Sequence, residues 1–90
     1  MRFLVAYEAS VPEMREMVHL VAALRNLRAV RLLPTTWVLE SELAPGELAR
    51  HLIAVGHLVP HDRLLVTTLG GDASFRKLLV ADQHAAALLG

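Results

Sequence analysis

Cysteine is absent from this 90-residue chain. Disulfide stapling and thiolate metal sites are therefore excluded. No charge of either sign is in surplus, since nine Lys and Arg balance nine Asp and Glu. Any contact with nucleic acid would have to come from a local basic patch. No apolar stretch approaches the ~18–20 residues that crossing a bilayer requires, so no membrane partner is expected. Glu8 interrupts the first apolar run too early for a secretory signal, and the expected location is cytoplasmic. Linkers, repeats and low-complexity stretches are missing as well. Gly70-Gly71-Asp72 lacks the lysine and the following helix of a phosphate loop and reads as a turn. Ser10, Ser41 and Ser74 lack the strained elbow of a nucleophilic serine.

Apolar residues are abundant. They make up 54% of the chain, against a usual share of ~45–50%. The length suits one small domain, whose core alone gives thin stability. The excess apolar surface points to a partner, and the simplest partner is a second copy.

Phe3 to Tyr7 is a short apolar run that reads as a strand. Ser10-Val11-Pro12-Glu13 has the form of a capping box with proline in the first turn. Met14, Met17, Val18, Val21, Leu24 and Leu27 then recur at helical spacing. Ala29 to Leu33 reads as a second strand, which Pro34 interrupts at an edge or bulge. Thr35 to Glu40 is β-branched and aromatic, a third strand. Pro45 suits a helix start, and Leu48, Leu52, Val55 and Leu58 follow at helical spacing. Asp62 to Leu69 reads as a fourth strand stopped by Gly70-Gly71. Ala81 to Leu89 suggests a short helix, and Ser74 to Val80 either a fifth strand or part of that helix.

The order βαββαβ is the ferredoxin-like α+β plan: an antiparallel four-stranded sheet with two helices on one face. Residues 1–71 form the expected core and 72–90 a C-terminal tail. Phe3, Val5 and Tyr7 should point to one face and Leu4 and Ala6 to the other. Both faces are apolar, so a face-to-face homodimer is expected, with the tail a candidate for exchange between copies.

The strings "FLVAYEAS", "VRLLPTTWVLESELAPGELARHL" and "HDRLLVTTLGG" resemble a known family. It is the small CRISPR-associated adaptation and nuclease family, second in that nomenclature, with its divergent SinR-like relatives. The matching features are Tyr7-Glu8 after strand one, Thr36-Trp37 in strand three, and Asp62-Arg63-Leu64-Leu65-Val66 before Gly70-Gly71. The resemblance covers about Arg2 to Gly71. It implies a ferredoxin-like homodimer that bridges integrase-type protein subunits and holds nucleic acid. In active members, an aspartate ending strand one faces its twin across the dimer. The pair is proposed to hold Mg²⁺ or Mn²⁺ for endonuclease or endoribonuclease cleavage. Glu8 stands at that position, one methylene longer, and Arg15 lies near the basic residues of active members.

Read from chemistry alone, Glu8 has two roles open to it. It is a catalytic, metal-binding carboxylate if two copies converge, or a polar strand end near a helix start. Arg25, Arg28 and Arg31 form the best basic cluster and suit phosphate or simple solvation. His57 and His61 have a zinc-like spacing, but Pro60 breaks the helix between them. Trp37 and Tyr7 suit the core, an interface or base stacking. The function expected is a dimeric module that binds a protein partner or nucleic acid without robust catalysis. The alternatives are an endonuclease using paired Glu8 and a small-ligand regulatory dimer.

Overall fold

The computed structural model describes residues 1–10 and 17–90. The Ser10–Glu13 capping box, the helix start at Met14 and the Arg15 position lie outside the described residues. Among those described, the order is β1 (Arg2–Glu8), α1 (Val18–Asn26), β2 (Val30–Leu33), β3 (Thr36–Glu40), α2 (Pro45–Val55), β4 (Arg63–Thr68) and α3 (Asp82–Leu89). The strands form one sheet in the order β2-β3-β1-β4, and every pairing is antiparallel. This is the ferredoxin-like arrangement, with α1 and α2 packed on one face and α3 added at the C-terminus.

Strand alternation decides the layers. Phe3, Val5 and Tyr7 of β1 are buried with Trp37 and Leu39 of β3. Against them lie Met17, Leu20 and Leu24 from the first helical segment and Leu48 and Leu52 from α2. Burying each large apolar side chain is worth about 1.5–3 kcal/mol relative to leaving it exposed. The buried line of α1 includes Leu20, and Val18, expected on the apolar stripe, is 64% exposed. Inside the core, Trp37 Nε1 donates to Tyr7 Oη at 3.2 Å.

Local chemistry sets the ends of the elements. Pro45 opens α2, and the Glu47 carboxylate accepts the Ala44 backbone N–H at 3.1 Å, one half of a capping box. The register shifts between Arg31 and Leu33, just before Pro34 turns the chain into β3.

The second face of the sheet is covered unevenly. Residues 74–80 form neither a strand nor a helix, although the Leu79 N–H donates to the Leu32 carbonyl at the outer edge of β2. From there α3 runs over the β2–β3 half of the sheet. Ala85 is fully buried, and Leu32 and Val38 are 2% exposed, although none of the three belongs to the main core. Arg2 holds the far end of α3, donating from Nη1 to the carbonyls of Leu88 at 2.8 Å and Ala87 at 3.3 Å. A cation at those orphan last-turn carbonyls is favourable. Part of the cover that the sequence suggested a partner would supply thus comes from the chain itself. On the β1–β4 half Leu4 and Ala6 are half-buried and Leu65 is 55% exposed.

Candidate functional site

Glu8 ends β1 directly opposite Arg63, the first residue of β4. That register brings Arg63 Nη1 to 3.1 Å from Glu8 Oε1, with both side chains mostly in solvent. The next residues form a clasp. Asp62 Oδ1 accepts the Ser10 backbone N–H at 2.8 Å, and Oδ2 accepts that of Val59 at 2.9 Å. One carboxylate thereby ties the exit of β1 to the loop between α2 and β4. The clasp borders a cleft of about 460 Å³, whose rim also carries Pro60 and His61.

Among the described residues this geometry does not make a metal centre within one protomer. Mg²⁺ and Mn²⁺ want several oxygen ligands in a tight octahedron. Glu8 offers one exposed carboxylate, already neutralised by a guanidinium, and both Asp62 oxygens hold backbone amides. Among the described residues no group of three or more His, Cys, Asp or Glu side chains converges on a common point.

The arginines divide. Arg25 and Arg31 line one groove between α1 and β2, of about 610 Å³, with Asn26 and an apolar wall of Val18, Val21 and Ala22. Arg28 faces a different cavity, of about 380 Å³, beside Arg2, Glu40 and Leu88. The Arg31 guanidinium lies over the Trp37 ring, 4.7 Å from its centroid. Its Nε is buried and has no hydrogen-bond partner. Among the described residues the side chains of Arg25 and Arg28 make no hydrogen bond or ion pair, although the Arg28 backbone N–H donates to the Arg25 carbonyl at 3.0 Å. Trp37 and Tyr7, at 2% and 7% exposure, serve the core and offer no open ring to a base.

All five histidines are exposed. His57, in a left-handed backbone conformation after α2, stacks on His19 of α1 with ring centroids 4.2 Å apart. His61 sits apart from them on the rim of the Glu8 cleft. Arg2 was not picked out from the sequence, and Asp62 was picked out only as the head of the Asp62–Val66 string, not as a clasp. Each takes its place through a contact that sequence spacing does not encode.

No helix among the described residues is long and apolar enough to cross a membrane. In comparison with known proteins, no family model, curated protein or solved structure matches the chain.

Proposed function

We propose that the chain is a non-catalytic, self-associating ferredoxin-like module whose partners are a second copy and, through the dimer, a protein or nucleic acid. The observation that carries this reading is the uncovered flank along β4. Among the described residues β4 is an edge strand with no neighbour on its outer side. Leu65 projects from its open face, and Ile53 and Val59 stand exposed beside Leu64 on the helix side. An exposed, apolar strand edge is a template for pairing.

A second copy fits that flank without electrostatic penalty. A two-fold antiparallel pairing centred on Leu65 sets Leu64 against Val66 of the second copy. Arg63 then faces Thr67 of the second copy rather than another arginine. Parity is preserved, so both sheets keep their helices on the same side. The contact is isologous and closes after two copies. The family resemblance to a bridging dimer supports the same reading.

This arrangement also argues against paired catalysis. Glu8 lies on β1, one strand in from the shared edge. Three strand spacings of ~4.8 Å, or ~14 Å, then separate the two β1 strands. A shared ion needs carboxylates within about 5 Å, given oxygen–metal distances of ~2.0–2.6 Å.

The test is Leu65→Lys, which sets two ammonium groups face to face on the two-fold axis. Multi-angle light scattering should show a dimer for the native chain and a folded monomer for the variant. A variant that keeps the native mass places the contact elsewhere.

A further inference from the structure

We propose that the groove between α1 and β2 binds a phosphate monoester carried on a planar base. The ligand class is a nucleoside monophosphate, either free or as the phosphorylated end of a nucleic-acid strand. The cavity is about 610 Å³, within the ~300–1,000 Å³ typical of small-molecule sites. Two guanidiniums, Arg25 and Arg31, stand on its lining with the Asn26 amide, and no carboxylate from a described residue joins them. Two permanently charged guanidiniums match the charge of a monoester dianion better than that of a lone carboxylate.

Arg31 is the positioned member of the pair. Trp37 supports one face of its guanidinium at 4.7 Å, which orients the planar fork. Its buried Nε lacks an acceptor. Because Nε is shut off from the groove, an oxyanion there is met by the terminal Nη groups of the fork. We place the base on the guanidinium face turned away from Trp37. The apolar wall of Val18, Val21 and Ala22 covers the rest of a flat ring. Val18 is 64% exposed, an unusual setting for a valine on the helix that supplies the core.

The site is independent of self-association, because the groove borders β2 and the pairing edge is β4 at the other side of the sheet. The experiment is calorimetric titration with adenosine 5′-monophosphate, adenosine and inorganic phosphate, with the fluorescence of the single tryptophan, Trp37, read in parallel. The monophosphate should bind saturably and at least about tenfold tighter than adenosine or phosphate alone. Arg25→Gln, at an exposed position, should weaken it by about fivefold or more while leaving the circular dichroism unchanged. Arg31→Lys keeps the charge but loses the fork, and should weaken it by a similar factor. The Leu65→Lys monomer should bind as the native chain does, which separates this site from the dimer proposal. A 5′-phosphorylated dinucleotide tests the source of the ligand. Tighter binding than the mononucleotide assigns a strand end, weaker binding assigns a free nucleotide, and both support the site. Absence of saturable binding, phosphate binding as well as the mononucleotide, or unchanged affinity in both arginine variants overturns it.

Discussion

Trp37 and Tyr7 form a polar contact inside an otherwise apolar core, the indole N–H donating to the phenol oxygen at 3.2 Å. Tyr7→Phe removes the acceptor and strands a buried donor, a loss of about 1–3 kcal/mol. Urea denaturation should show a lower midpoint with an unchanged slope; an unchanged midpoint would mean that the bond contributes nothing. Glu8 is at the opposite extreme. Its ion pair with Arg63 joins side chains that are 61% and 80% exposed, and exposed pairs contribute about 0.2–1 kcal/mol, less in salt. Glu8→Gln should therefore change stability by less than about 1 kcal/mol. With Mn²⁺ and labelled RNA or DNA, the native chain and the variant should both leave the substrates intact. Cleavage by the native chain that the variant lacks would restore Glu8 as a catalytic group. An acid at a strand end was visible in the sequence, but its neutralising partner was not. Arg63 lies 55 positions away and meets Glu8 only through the β1–β4 register.

Between elements, α2 ends close against α1. Gly56 is buried there, and an added Cβ would lie 2.6 Å from the Leu52 carbonyl oxygen, 2.9 Å from Leu58 Cδ1 and 3.1 Å from Leu20 Cβ. Gly56→Ala should cost about 1–3 kcal/mol by crowding the last turn of α2 and Leu58 and pressing on Leu20 of α1, seen as a fall in Tm; an unchanged Tm would mean that these neighbours yield freely. α3 has the contrary role of a cover. Removing residues 79–90 should uncover Leu32 and Val38, raise the binding of a hydrophobic dye and lower Tm while the strands persist. A truncated chain with native dye binding would contradict that role. The strands and α1 and α2 were legible because their periods of two and 3.6 are clear in the apolar residues. The seat of α3 was not. Its apolar positions in Ala85-Ala86-Ala87-Leu88-Leu89 form a block rather than a stripe, and its anchor is Arg2, more than eighty residues away.

The whole molecule is an asymmetrically clad sheet. One half of its second face is covered by its own C-terminal helix, and among the described residues the strand edge beyond the other half is free. The apolar surplus was legible in composition, and so was the inference that this surface needs a cover. That α3 supplies part of this cover was not, because it depends on where the tail lands. The same placement moves the proposed contact from the open face to the β4 flank. The two Glu8 carboxylates then stand too far apart to share an ion. Sedimentation equilibrium over a broad concentration range tests this account most directly. The account predicts a single species of twice the 9.9 kDa chain mass that dissociates only on dilution. A constant 9.9 kDa particle at every concentration would contradict it.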